Sequence, residues 1–187
     1  MDMTLSFDRH EGDLISACRR KERWAQQQLY EQFFGKMMGV CMRYANSEEE
    51  AMDLLHEGFI KVFRYINKYQ SGTSLNAWIR RIMINTCIDA YRKKVRRRTE
   101  DIEEAYSLSS NDADAISQCS EKEILAAVQQ LSMAYRTVFN LYVIEGYSHK
   151  EIADLLGISE STSRSNLVKA RTKLKSLLKP SYSNYAR

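Results

Sequence analysis

Residues 147–164 read YSHKEIADLLGISESTSR, and their spacing predicts two short helices that cross at a tight corner. Ser148-x-x-Glu151 has the form of a capping box, in which a hydroxyl and a carboxylate satisfy each other's backbone amides at a helix start. Ala153 is small where the helices must cross, Gly157 can take the left-handed turn that ends the first, Ile158 plugs the corner and Ser159 can cap the second. This is the layout of a helix-turn-helix. Beyond it Leu167, Ala170, Leu174 and Leu177 recur at helical spacing and face inward, leaving Ser161, Ser165, Val168, Lys169 and Thr172 outward with Arg164 at the flank. Such a mixture suits a DNA major groove: arginine reads guanine with two hydrogen bonds, valine and threonine methyls meet thymine methyls, and lysine holds phosphate. A hairpin that serves only packing would share this spacing, so the rest of the chain must decide.

The rest is also helical in pattern. Seven glycines and one proline in 187 residues leave little material for the tight turns of a sheet protein. Ser47-x-x-Glu50 and Ser120-x-x-Glu123 repeat the capping-box form. Leu29, Phe33, Met37, Cys41 and Tyr44 predict a long helix over about 21–44, with a shorter one over 12–20 before it. The helix that starts at Ser47 gathers Ala51, Leu54, Leu55, Phe59, Val62, Phe63 and Ile66 into one buried stripe. Opposite that stripe lie Asp53, His56, Glu57 and Ile60, an isoleucine set in a polar rim. Two readings stay open for that face, ordinary exposure and a docking surface for a partner. A further helix over about 74–98 turns Trp78, Ile79, Ile82, Met83 and Ala90 inward and aligns Arg81, Asn85, Ile88 and Arg92 on another side. It ends in Arg92-Lys93-Lys94-Val95-Arg96-Arg97-Arg98, six cations in seven positions, more than a helix dipole can use. Phosphate contact explains them better.

Charge divides along the chain. Residues 1–98 carry 18 basic and 12 acidic side chains, residues 99–123 one basic and eight acidic, and residues 124–187 nine basic and four acidic. Two basic blocks joined by an acidic strip suggest two modules that meet a polyanion through a connector that does not, although any single run could be a solvated face. The connector, rich in Ser, Asp, Glu and Ala, is expected to be a flexible linker. Cys18, Cys41, Cys87 and Cys119 are too far apart for a zinc clip or a dense disulfide scaffold and read as free thiols. The longest run without a charged side chain has twelve residues, too short to cross a bilayer, and the acidic N-terminus lacks the pattern of a secretory signal. A soluble cytoplasmic protein is expected. His10, His56 and His149 lie far apart, and neither HExxH, GxSxG nor a phosphate-cradling glycine loop occurs, so no catalytic residue, metal site or cofactor is predicted.

Taken together, these residues resemble the RNA polymerase sigma factors of the sigma-70 family, in the small extracytoplasmic-function (ECF) group that keeps only the sigma-2 and sigma-4 domains. The resemblance runs from about Ala25 to Leu178. In the front half it rests on Asp53-Leu-Leu-His-Glu-Gly-Phe-Ile-Lys-Val-Phe63, Trp78-Ile-Arg-Arg-Ile-Met-Ile-Asn85 and Asp89-Ala-Tyr-Arg92. In the back half it rests on Leu131, Arg136-Thr-Val-Phe139, Glu145-Gly146-Tyr-Ser148, Glu151-Ile-Ala153, Leu156-Gly-Ile-Ser159, Ser163-Arg-Ser165, Lys169-Ala-Arg171 and Leu174. It implies an all-α protein: a sigma-2 domain over 1–98, an acidic linker over 99–120, a sigma-4 helix-turn-helix domain over 121–180 and a tail over 181–187.

The resemblance also implies roles. Asp53, His56, Glu57 and Ile60 would grip the clamp helices of core RNA polymerase. Arg81, Asn85, Arg92, Lys93, Lys94 and Arg96, with the loop 70–77, would hold the minus-ten promoter element as it melts. Ser161, Arg164, Ser165, Val168, Lys169 and Thr172 would read the minus-thirty-five element as duplex. An anti-sigma factor is the implied regulator, and the free chain, which shows no symmetric coiled-coil seam, is expected to be a monomer. Three positions depart from the family's pattern: His56 stands where glutamine is usual, Ser132 for proline, and Ser161-Thr162-Ser163 for glycine-threonine-valine. The rival reading is a regulator that binds duplex DNA alone as a dimer, on a palindrome with half-sites about one helical turn apart.

Overall fold

Serine side chains start five of the helices. Backbone amides three residues on approach the hydroxyls of Ser47 (3.2 Å), Ser74 (3.2 Å), Ser132 (3.4 Å), Ser148 (3.2 Å) and Ser159 (3.0 Å). Each such cap satisfies one of the donors a helix start leaves open, typically for about 1 kcal/mol. The predicted box at Ser148 is complete, since the Glu151 carboxylate accepts from the Ser148 amide at 2.8 Å. At Ser47 the returning carboxylate reaches one residue further, and Glu50 accepts from the Asn46 amide at 3.1 Å.

A computed structural model describes residues 3–100 and 121–182, which form eight α-helices and no strand. Two compact units divide at Cys87 and Ile88. The first contains α1 (Met3–Arg19), α2 (Arg23–Met42), α3 (Glu48–Tyr65), a single 3-10 turn (Ile66–Lys68) and the front of α4 (Leu75–Glu100). Its core gathers Ile15, Leu29, Met37, Leu55, Val62, Ile79 and Met83, each fully buried. α3 approaches α4 at Gly58: a Cβ there would lie 2.2 Å from the Met83 sulfur, so a larger residue would have to displace the Met83 thioether. The Cys18, Cys41 and Cys87 thiols are buried and free. Burial, helped by the charge of Glu22, lifts the Cys18 thiol to about 11 and keeps it neutral, so it packs as an apolar group.

The second unit holds the rest of α4 from Ile88, α5 (Glu121–Gln129), α6 (Met133–Phe139), a wider π-helical turn (Asn140–Ile144), α7 (His149–Leu156) and α8 (Glu160–Tyr182). α8 packs against α5, α6 and α7. Ala127, Val128, Leu131, Ala170 and Leu174 form one core cluster, with Tyr135, Phe139, Leu177 and Leu178 against it. Arg136 is buried, and its Nη2 donates to the Gln129 and Leu131 carbonyls at 2.5 and 2.9 Å, closing the end of α5 that no residue in left-handed conformation caps. At the corner Gly157 has φ +68° and its amide donates to the Ala153 carbonyl at 2.9 Å, as its place in the helix-turn-helix requires.

Several boundaries differ from expectation. α1 starts at Met3 rather than near Gly12, and α4 runs two residues past its expected end, through Thr99 and Glu100. Ile88 does not join the outward row of Arg81, Asn85 and Arg92. It is buried, because that row borders the stripe of Ile84, Cys87 and Tyr91 and an aliphatic side chain on the border turns inward. The capping box at Ser120, Cys119 and the remainder of the acidic linker, 101–120, lie outside the described residues, as do residues 183–187 of the expected tail.

Candidate functional site

Three surfaces collect the residues singled out in the sequence. On α3, Asp53, His56, Glu57 and Ile60 all face outward, opposite a stripe in which Ala51, Leu54, Leu55, Phe59 and Val62 are buried. Ile60 is 58% exposed. Glu57 pairs with the Lys61 ammonium at 3.1 Å, one helical turn on, a contact of a few tenths of a kcal/mol that a partner can displace. Tyr30 of α2 supports the face from beside it, a role with no signal in the sequence beyond its place next to the buried Leu29. Its ring stacks on His56 at 6.3 Å, its hydroxyl lies 3.3 Å from His56 Nε2, and it packs on Phe59 at 4.7 Å.

The second surface is the turn 70–74 with α4 behind it. Tyr69, buried just before the turn, ties it down: its hydroxyl lies 2.5 Å from the Thr73 carbonyl and 2.9 Å from Glu11 Oε1 of α1, and its ring meets Trp78 at 5.5 Å. Arg19 donates to the Tyr69 carbonyl at 2.7 Å, and Thr73 Oγ1 donates to the Gln70 carbonyl at 2.8 Å. Gly72, at φ +89°, makes the reversal. The turn is therefore a built loop with exposed side chains from Gln70 to Ser74. On α4, Arg81 and Asn85 are exposed, as are Arg92, Lys93 and Arg96 further along, whereas Lys94 is half-buried. Tyr69 escaped sequence reading because an isolated tyrosine in a turn carries no periodic signal.

The third surface is the outward face of α8. Ser161, Arg164, Ser165, Val168, Lys169 and Thr172 are all exposed, Val168 to 63%, while Leu167, Ala170 and Leu174 are buried. Arg164 is held by an ion pair with Glu160 one turn before it. Ser165 and Thr172 hydroxyls donate to carbonyls of their own helix, at 3.0 Å each, and keep lone pairs for other donors. Lys169 lies over the Tyr135 ring at 5.9 Å and Arg171 over Tyr142 at 5.9 Å. Ser163, where the family usually has valine, is 0% exposed, and its hydroxyl lies 2.9 Å from His149 Nδ1. Desolvation, with the charges of Arg164 and Arg171 outweighing Glu160, holds the His149 pKa below its ordinary value of 6.5, so the imidazole is neutral at pH 7.

Exposed cations beside short hydroxyls can contact phosphate and base edges, and a polar face with carboxylates around an aliphatic side chain can dock a protein surface of complementary charge. Among the described residues no three His, Cys, Asp or Glu side chains gather as a metal site would need, and no helix is long and apolar enough to cross a membrane.

Comparison with known proteins assigns both halves. Residues 29–97 match the family model for sigma-70 region 2 and residues 121–174 that for sigma-70 region 4. The chain is 30% identical over 154 residues to the RNA polymerase sigma factor SigZ of Bacillus subtilis, covering 80% of this chain and 85% of that protein. It is 23% identical over 171 residues to the ECF RNA polymerase sigma factor SigM of Mycobacterium tuberculosis, covering 91% and 86%. Its fold is similar to that of the sigma factor RpoE from Bartonella quintana, crystallised with the anti-sigma factor NepR, with a TM-score of 0.50, 22% identity and coverage of 82% of this chain and 96% of that one.

Proposed function

The chain belongs to the sigma-70 family of RNA polymerase sigma factors, in its ECF group, and from that premise we propose which of its surfaces meets polymerase and which meets each promoter element. Asp53, His56, Glu57 and Ile60 on α3 dock on the clamp helices of core polymerase, with Tyr30 holding the His56 ring in place. The exposed Ile60 in its polar rim is the observation that carries this reading.

The promoter is held at two points. The turn 70–74, pinned by Tyr69, and Asn85 on α4 capture an unstacked base of the minus-ten element, while Arg81, Arg92, Lys93, Lys94 and Arg96 hold phosphates of the melted strand. Taking a base out of the stack costs a few kcal/mol, which a fixed pocket and backbone contacts can offset without any catalytic side chain. A rigid turn serves this better than a loose one, because the ordering entropy is already spent. On α8, Ser161, Arg164, Ser165, Val168, Lys169 and Thr172 read the minus-thirty-five element in the major groove. The chain then has no active site of its own and acts in the bacterial cytoplasm, where core polymerase and promoter are. Its expected inhibitor is an anti-sigma factor, the kind of protein with which the similar Bartonella sigma factor was crystallised.

The test is co-purification of core polymerase with the wild-type chain and with Asp53→Arg. The reading expects retention of core by the first and loss by the second, with the helical content of the variant unchanged. Equal retention by both would remove α3 from the interface.

A further inference from the structure

We propose that His149 is a positioning residue for the DNA-reading face of α8, acting through the buried hydroxyl of Ser163; this rests on the assignment of α8 to the promoter duplex. Ser163 lies on the inner face of α8 with no access to water, so its hydroxyl must find a partner inside the protein or bear the full cost of desolvation. His149 supplies that partner at 2.9 Å. It is the first residue of α7, inside the capping box that Ser148 and Glu151 close around it, so its backbone is fixed before the side chain reaches across. One face of its ring is covered by Tyr142, stacked at 4.4 Å and 21°. Arg171, from α8 again, lies over the Tyr142 ring.

These contacts run from α8 at Ser163, through His149 and Tyr142, back to α8 at Arg171. The two ends are eight residues apart, about 12 Å along the helix axis. Valine at 163 would fill the volume, but apolar contact has no direction and leaves the helix free to turn slightly. A hydrogen bond to an imidazole held by a stacked ring sets rotation as well as distance. Arg164 and Ser165 follow Ser163 directly, so a small rotation there swings the guanidinium across the groove floor, and base readout tolerates little misplacement. His149 touches no DNA in this scheme.

The test uses the full chain as wild type, His149→Ala, Ser163→Ala, the double variant and His149→Asn, whose side-chain amide can restore a bond to the hydroxyl. Amide hydrogen exchange across 161–169 is read first, without polymerase. His149→Ala is expected to raise exchange about fivefold, the double variant no more than either single change, and His149→Asn to return it toward wild type. Transcription with core polymerase is then read on templates altered by one base pair in the minus-thirty-five element. Discrimination is expected to fall about fivefold in His149→Ala and recover in His149→Asn, with minus-ten discrimination unchanged. Additive effects of the two alanines, or a failure of asparagine to rescue, would overturn the clamp. Raised exchange with unchanged discrimination would reduce His149 to a stabilising contact and overturn its part in specificity. A wild-type chain blind to the minus-thirty-five element would instead overturn the assignment of α8 itself, while the exchange data would still judge the bond.

Discussion

α3 and α8 each bury one stripe and leave one aliphatic side chain in the open on the other, Ile60 at 58% and Val168 at 63% exposure. What surrounds that side chain differs. Ile60 sits among Asp53, His56 and Glu57 with Arg64 one turn on, whereas Val168 sits among Ser161, Ser165, Lys169 and Thr172 with Arg164 nearby. An exposed aliphatic group alone says nothing about its partner. The rim does: carboxylates repel phosphate and favour a basic protein surface, while cations and short hydroxyls favour the groove of a nucleic acid. The same helical architecture is thus turned to two partners by the charge of a few surrounding side chains.

The largest effect is expected at the acidic face. Asp53→Arg places a like charge against a basic partner surface and should weaken core polymerase binding by ~2 kcal/mol or more, measured by competition for core. Its thermal unfolding should stay within ~0.5 kcal/mol of wild type, because the site is exposed. On α8, Arg164→Ala should cost about 1 to 3 kcal/mol at a single base pair of the minus-thirty-five element and leave core binding intact, as read by transcription from a set of altered promoters. Exchanging the two aliphatics sharpens the contrast. Ile60→Ser should lower core affinity without changing promoter preference, and Val168→Ser should change preference at one position, by ~1 kcal/mol, without changing core affinity.

A smaller effect concerns Glu160, whose ion pair holds Arg164 before DNA arrives. Glu160→Gln frees the guanidinium and should strengthen promoter binding by a few tenths of a kcal/mol, measured as a lower half-saturating promoter concentration. The smallest is a pH effect on the second unit. Because the folded pKa of His149 lies below its ordinary 6.5, the unfolded chain takes up the proton first, and stability falls as pH drops from 6.5 toward the folded value. The difference between thermal melts of wild type and His149→Asn should stay constant above that window and shift against the wild type as pH falls through it.

The helices with strong periodicity and serine caps were legible in the sequence: α3, α7 and α8 have the inner and outer faces their patterns demand, and Gly157 makes the left-handed turn its position required. What escaped has a common physical cause, since each feature depends on a residue brought from elsewhere in the chain. The close contact at Gly58 comes from Met83, the order of the turn 70–74 comes from Tyr69 and Glu11, and the tolerance of a hydroxyl at 163 comes from His149. Ile88 was misplaced because it lies on the boundary of a stripe, where spacing alone does not decide burial. Exposure of each candidate residue on α3 and α8 followed from period alone, whereas the supports behind them, Tyr30 and His149, did not.

The central claim, that one chain presents a polymerase-facing helix and a DNA-reading helix that act together, is tested most directly by mixing it with core polymerase on a linear promoter library and mapping start sites. In parallel its binding to the same duplexes is measured without core. The account predicts start sites fixed by two promoter elements in the mixture, and weak or undetectable duplex binding by the free chain. Tight binding of the free chain to a palindrome, with no effect on where core polymerase starts, would contradict it.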